Sequence, residues 1–178
     1  IMLVLPSDHV IKDKHMFQKL VAADMPAMED GKFVTFGITH KRPSSHYGYI
    51  TASAPYKDSM LHIDQFVEKP DRTQAQMLLA EGDCFWNSGI FMFRAQDYLG
   101  ALKALQPAIY ENTLDAVKKA TRSNNNILLD NEAFSKCKNI SIDYAVMENA
   151  ANKVVMPTDI NWCDIGSWRG YIKALLTA

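Results

Sequence analysis

Residues 13–38 read DKHMFQKLVAADMPAMEDGKFVTFGI, and a change of period inside them decides the fold. From Asp13 to about Ala23 the apolar residues Phe17, Leu20 and Val21, with Met16, recur at three- and four-residue steps, the spacing of one helix face. Pro26 is expected to end or kink that helix, because its ring lacks an N–H and clashes with the preceding turn. KFVTFGI, Lys32–Ile38, then switches to β-branched and aromatic residues, which predicts a strand. Upstream, Leu3–Pro6 is a short apolar run expected to form a buried strand. Strand, helix, strand is a βαβ unit, the seed of an α/β sheet.

Working outward, YGYITAS and LHIDQFVEKP predict two more strands around a turn at Pro55–Ser59. In the second, Leu61, Ile63 and Phe66-Val67 break strict alternation and mark a bulge before Glu68. Asp71 followed by Gln74 is a capping pattern, and Gly82 closes the helix it starts. CFWNSGIFMFR is an apolar strand interrupted by Asn87-Ser88-Gly89. Helices are expected over Ala95–Leu105 and from Pro107 to Ala120, the second with proline at its favoured first position. NISIDYAVME reads as a short strand or loop leading into a helical turn, NKVVMPTD as a strand, and NWCDIGSW as a turn before a last helix ending near Leu176. The order predicts an α/β protein whose mixed, mainly parallel sheet carries an antiparallel insertion. A parallel sheet of this kind normally begins further back, so the abrupt start at Ile1 is expected to cut through a single partial domain, residues 1–178.

Composition narrows the function. The 178 residues are 48% hydrophobic and 22% charged, with a net charge of -1, the balance of a folded protein with no bulk attraction for nucleic acid or an anionic membrane. Phosphate chemistry would therefore need a few placed cations or a metal. The three cysteines, Cys84, Cys137 and Cys163, are widely spaced and show no zinc pattern, so they are expected to be small reduced core residues. No apolar run reaches the ~20 residues that cross a bilayer, and no leader pattern is present, so a cytoplasmic location is expected.

Four stretches place polar residues where apolar ones would be expected. Asp8-His9 stands at a strand end, where open α/β sheets gather ligands; equally, Asp8 could cap the next segment with His9 packed on the surface. Glu68-Lys69-Pro70 ends another strand. Neighbouring residues face opposite ways along a regular strand, so both reach one ligand only if the strand bends or stops; otherwise they are a solvated charge pair. Asn87 carries two donors and an acceptor suited to sugar hydroxyls, or to satisfying a bulged backbone, and Gly89 permits close approach. Asp164, with a tryptophan on either side and Gly166 after it, either joins Asp8 on a metal or caps the last helix. Magnesium suits the first alternative, because one or two carboxylates with waters and substrate phosphates suffice to hold it.

Six blocks in order, LPSDHVI, FGI…YGYI, FVEKPD, FWNSGIFMF, SIDYAVME and WCDIGSW, closely resemble the mannose-1-phosphate guanylyltransferase family, in particular the long bacterial type often fused to a mannose-6-phosphate isomerase domain. The resemblance runs from Leu3 to about Leu175 and implies a Rossmann-like nucleotidyltransferase fold. It also implies transfer of GMP from GTP to mannose 1-phosphate, giving GDP-mannose and pyrophosphate. By that resemblance Asp8 and Asp164 hold Mg²⁺, and Lys69 neutralises the sugar phosphate. Glu68 and Asn87 bind mannose hydroxyls, Tyr47 and Gly48 lie beside the ring, and Asp143 lines the same pocket. GTP and mannose 1-phosphate are the implied partners, with homo-oligomerisation left open. Two departures stand out. The family's glycine-rich triphosphate loop has no counterpart here, so these residues alone are expected to be inactive, and base specificity is not legible. Ser44-Ser45-His46 also stands where relatives carry a Pro-Glu-Thr-Gly run. The alternatives are a transferase for another sugar 1-phosphate or base, and a non-catalytic regulatory subunit of the same fold.

Overall fold

The computed structural model describes residues 1–40 and 42–166. The last helix expected to end near Leu176 lies outside them. The chain forms two compact units, one built from Ile1–Arg94 with the segment from Ala151 onward, the other from Ala95–Ala150.

The first unit contains β1 (Met2–Val4), β2 (His9–Ile11), α1 (Lys14–Glu29), β3 (Phe33–Thr39), β4 (Tyr49–Pro55), β5 (Leu61–Val67), α2 (Arg72–Glu81) and β6 (Cys84–Phe93). The second contains α3 (Ala95–Leu105), α4 (Pro107–Lys118), β7 (Thr121–Ser123), β8 (Asn126–Leu128), α5 (Asn131–Ser135) and a π turn over Asp143–Met147. The chain then returns to the first unit with β9 (Lys153–Thr158) and β10 (Trp162–Asp164). No helix among the described residues is long and apolar enough to cross a membrane.

The main sheet has the order β1-β6-β3-β9-β5-β4, and β4 also pairs with β6, so the strands from β6 round to β4 close on themselves. Mixed sheet and α/β class are as expected, but "mainly parallel" needs correction. β3 and β9 run parallel, Phe33 opposite Lys153 through Ile38 opposite Thr158; every other described pairing in this sheet is antiparallel. β1, β3, β9 and β4 do point one way. The reversed strands β5 and β6 lie between them, and the short link from β4 to β5 can join only antiparallel neighbours. β1 differs as well. It is an edge strand with Met2 43% and Leu3 38% exposed, not a buried one.

The core forms where β3, β6 and β9 present Val34, Phe36, Ile90, Met92, Val154 and Met156 to α1. Asp13 caps α1 by accepting from the Met16 N–H at 2.9 Å. Phe17, Leu20 and Val21 pack on the core as their spacing predicts, while Met16 faces solvent. The helix does not end near Pro26; it runs through it to Glu29, because the turn carrying the proline also carries the fully buried Ala27 and Met28. Burying a side chain such as Met28 contributes about 2 kcal/mol, which with the rest of the stripe offsets the ~3 kcal/mol that a helical proline costs.

α2 is capped as expected: Asp71 accepts from the Gln74 N–H at 2.8 Å, and Gly82 leaves the helix at φ +82°. Its Ala75 and Leu78 pack on Tyr49, Val67, Cys84 and Trp86. The bulge in β5 is present too, with Thr51 opposite Gln65 and Ala52 opposite Ile63, leaving Asp64 as the extra residue. NWCDIGSW is not a simple turn. Trp162–Asp164 forms β10, which pairs antiparallel with β2, and this two-stranded sheet positions the site. In the second unit, Asn124 at φ +50° turns a β7–β8 hairpin.

Candidate functional site

β2 and β10 bring the two chain-distant aspartates together. Cys163 lies opposite Val10 and Asp164 opposite His9, and the Ile165 N–H donates to the Asp8 carbonyl at 2.9 Å. Both carboxylates converge on Gly166. A Cβ built there would stand 2.9 Å from Asp8 Oδ2, closer than real side chains approach, and 3.0 Å from Asp164 Oδ1, tighter than most. The Gly166 N–H donates to Asp164 Oδ1 at 2.6 Å and holds that carboxylate's rotamer. Asp8 caps no described helix, since Asp13 does so for α1.

This donor set fits Mg²⁺. Two hard carboxylates face a space that any side chain at residue 166 would fill. No cluster of three or more histidine, cysteine or acidic side chains able to hold a metal exists among the described residues. A site of this kind is completed by waters and substrate oxygens rather than by a protein cage.

A second group of polar residues forms where β5 stops and β6 bulges. Glu68 and Lys69 lie just beyond the end of β5, so the strand rule that would part them no longer applies. Lys69 Nζ stands 3.5 Å from Glu68 Oε1, with the Glu68 side chain 9% and the Lys69 side chain 60% exposed. Lys69 also holds φ +46°, an uncommon conformation for a side-chain-bearing residue and one that tends to persist at functional sites. A Cβ on Gly48 would overlap Glu68 Oε2 and come within 3.2 Å of Asn87 Cβ, so the missing side chain lets these two residues meet across β4.

Asn87 satisfies the bulged backbone, one of the two alternatives that its sequence leaves open. Its Oδ1 accepts from the Gly89 N–H at 3.0 Å and lies 3.3 Å from the Thr35 hydroxyl, satisfying the irregular backbone where Gly89 takes φ +69°. Its Nδ2 end is directed toward the Gly48–Glu68 side, 3.5 Å from where a Gly48 Cβ would stand.

Tyr47 links the two groups. Its ring lies 4.6 Å from Trp86 and 5.4 Å from Trp162, centroid to centroid, so one aromatic ring touches β6 and β10 together. Burial pushes the Tyr47 hydroxyl above its ordinary range, and the charges of Asp164 and Cys163 push the same way. His40 also stacks on Trp86, at 4.5 Å and 15°, and burial lowers its pKa. In the altered loop, Ser44 Oγ accepts from the His46 N–H, and the Ser44 N–H donates to the buried Tyr49 hydroxyl at 2.7 Å.

Asp8, Tyr47, Gly48, Glu68, Lys69, Asn87 and Asp164 all belong to the first unit. Asp143 opens the π turn of the second unit, where its carbonyl accepts from the Glu148 N–H, and lies outside the strand set that builds this cluster. None of the three cysteines forms a disulfide among the described residues, and each is half-buried rather than in the core. Two residues with no sequence-derived role also enter the cluster. Trp162 donates its indole N–H to His9 Nδ1 at 3.1 Å, and His9 is not on the surface: its side chain is 14% exposed. Burial lowers the His9 pKa against the opposing charges of Asp164 and Asp8. The available signal was spacing. Trp162 stands two residues before Asp164, so on a strand both share one face.

Comparison with known proteins gives a consistent set of similarities. The model of the Nucleotidyl transferase family matches residues 1–178. The Xanthan biosynthesis protein XanB of Xanthomonas campestris pv. campestris (strain B100) is 47% identical over 168 residues, 94% of this chain and 36% of that protein. The mannose-1-phosphate guanylyltransferase of Escherichia coli (strain K12) is 45% identical over 172 residues, again 94% and 36%. Among solved structures, a Thermus thermophilus protein described as "mannose-1-phosphate geranyltransferase" superposes with a TM-score of 0.84 at 29% identity, over 99% of this chain and 49% of that one. The chain therefore spans about a third of the length of the curated relatives it matches.

Proposed function

Because the chain belongs to the nucleotidyl transferase family, we propose that the protein transfers GMP from GTP to mannose 1-phosphate, giving GDP-mannose and pyrophosphate. In this reading the first unit supplies the sugar- and metal-binding side of the site. The observation that carries it is the convergence of Asp8 and Asp164 on Gly166, linked through Tyr47 to the Glu68–Asn87 group. The relatives at 45% and 47% identity, by their names, direct the assignment toward mannose and guanylyl transfer within polysaccharide synthesis.

A phosphate oxygen of the sugar attacks the α-phosphorus of GTP, and the bond to pyrophosphate breaks. Both reactants are anions, so the protein's task is positioning and charge neutralisation. Lys69, exposed and held at an uncommon φ, acts as a point charge for the sugar phosphate. Glu68 accepts from sugar hydroxyls, and the Asn87 amide, its carbonyl already committed to the backbone, donates to them. The close approach at Gly48 keeps the backbone against the ring, with Tyr47 beside it. Asp8 and Asp164 are the residues that would hold Mg²⁺, which when bound supplies charge neutralisation at the substrates' phosphate oxygens.

The test is pyrophosphate release by the intact protein. Mannose 1-phosphate with GTP should be turned over far faster than glucose 1-phosphate with GTP, or mannose 1-phosphate with the other nucleoside triphosphates. Equal rates with glucose 1-phosphate would remove the mannose assignment while leaving the family reaction standing.

A further inference from the structure

His9 sits directly opposite Asp164 in the β2–β10 pair and immediately follows Asp8. Its imidazole is fixed from two sides. The Trp162 ring meets it edge-on at 5.0 Å and 89°, and the indole N–H donates to Nδ1 at 3.1 Å. Gly89 closes another side: a Cβ there would come within 3.8 Å of His9 Cε1 and 3.2 Å of Pro6 Cγ. An indole nitrogen can only donate, so Nδ1 must accept, and a neutral imidazole then carries its proton on Nε2. That Nε2 faces Asp8 Oδ1 at 3.9 Å, a separation that a small rotation of the exposed carboxylate or one bridging water spans. The other Asp8 oxygen, Oδ2, is the one turned toward Gly166 and Asp164.

We infer that His9 is a positioning residue: Trp162 fixes it as the Nε2–H tautomer, and that N–H steers one oxygen of Asp8 so that the other faces Asp164. The inference rests on the reading of Asp8 and Asp164 as a cation site, and it assigns to β2 and β10 more than the delivery of two aspartates. Their register also delivers the group that orients one of them. Groups that hydrogen-bond a ligating carboxylate typically change metal affinity by about 10- to 100-fold when removed.

Binding of Mn²⁺ alone to the intact protein, followed by electron paramagnetic resonance, reads the effect without turnover. His9→Leu should weaken Mn²⁺ binding by about tenfold or more, and His9→Gln, which restores an N–H donor and an acceptor, should recover most of that loss. Unchanged binding in His9→Leu overturns the inference, and so does His9→Gln binding as weakly as His9→Leu, which would make the residue a packing element only. Should His9→Leu fail to fold, the unsubstituted protein decides by long-range proton–nitrogen correlation of the His9 ring. Nε2 must be protonated and Nδ1 bare, and the ring signals must move when Mg²⁺ is added; a protonated Nδ1, or signals indifferent to Mg²⁺, overturns it. Asp164→Asn separates the two levels of argument. If that variant binds Mn²⁺ normally, the cation site itself is wrong. If it does not, and His9→Leu does, only the role of His9 falls.

Discussion

The first unit holds carboxyl groups in two opposite settings. Asp24 lies inside α1, fully buried, with neither oxygen hydrogen-bonded among the described residues. Burial first, and the charge of Asp58 second, push it up to about 7. Asp8 and Asp164 lie at the ends of two short strands and converge on a residue without a side chain. Displaced acidity alone would direct attention to the helix core. Convergence directs it to the strand ends, where Gly166 leaves space between the two carboxylates. A perturbed group is therefore a functional signal only when its geometry also offers something to bind.

The sharpest way to break this comparison is to neutralise one member of each setting. Asp164→Asn should lower turnover of mannose 1-phosphate and GTP by about 10³-fold, the scale of removing a charge-stabilising group from a transition state, while the unfolding midpoint in urea barely moves. Asp24→Asn should do the reverse. In the folded protein Asp24 keeps its proton up to about pH 7, whereas the unfolded chain loses it near the ordinary 3.8. Its contribution therefore makes stability fall as pH rises through that window and level off above it. The gap corresponds to about 4 kcal/mol, and leaving a buried amide in place returns about 1–2 kcal/mol of that as an unsatisfied polar group. Asp24→Asn should thus be more stable than the parent by about 2–3 kcal/mol at pH 8 and lose the advantage near pH 4. Urea titrations across pH, taken as the difference between the two proteins, isolate this term. An Asp24→Asn protein that is no more stable at pH 8 would show that the buried carboxyl is satisfied by relaxation.

A finer cut is Gly166→Ala. The new methyl would stand between the two carboxylates at about 3 Å from each, so one must turn away. Because Gly166 is exposed, folding should change by less than ~0.5 kcal/mol, while the Mg²⁺ concentration for half-maximal rate rises by about tenfold. A magnesium requirement that stays put would mean that the convergence is incidental.

How much of this was legible beforehand follows from how local each signal is. The α2 cap, the β4–β5 hairpin and the long β6 strand were readable, because Asp71 with Gln74, the Pro55–Ser59 turn and CFWNSGIFMF each act within a few residues. The path of α1 through Pro26 was not: the local cost of the proline is visible in the sequence, but the burial of Ala27 and Met28 that offsets it depends on β3, β6 and β9. The β2–β10 pair was hidden for the same reason. Three residues on each side carry no periodicity, and their register joins His9 to a partner at the far end of the chain. Asp8 and Asp164 were candidates from their settings, a strand end and a stretch between two tryptophans, and the family resemblance added the metal role. Bottom-up, each had an equally good capping role until the strands were seen to meet. Asn87 was legible as a choice between sugar and backbone; the structure gives its Oδ1 to the backbone and leaves Nδ2 on the Gly48 side.

The smallest expected effect tests the internal cause of the Asp24 displacement. Asp58 lies in the turn between β4 and β5 at φ +50°, a region that asparagine tolerates as well as aspartate does. Asp58→Asn therefore removes the charge without disturbing the turn. Its loss should let Asp24 ionise at a lower pH, so the carboxyl titration followed by carbon NMR should shift its midpoint downward from about 7. The shift should be modest, since burial is the larger cause and remains in place. Stability at pH 8 should rise slightly, and stability at pH 4, where Asp24 is protonated in the folded state, should change less. A midpoint that does not move would assign the whole displacement to burial, and the contrast between the helix core and the strand ends would then rest on solvent exclusion alone.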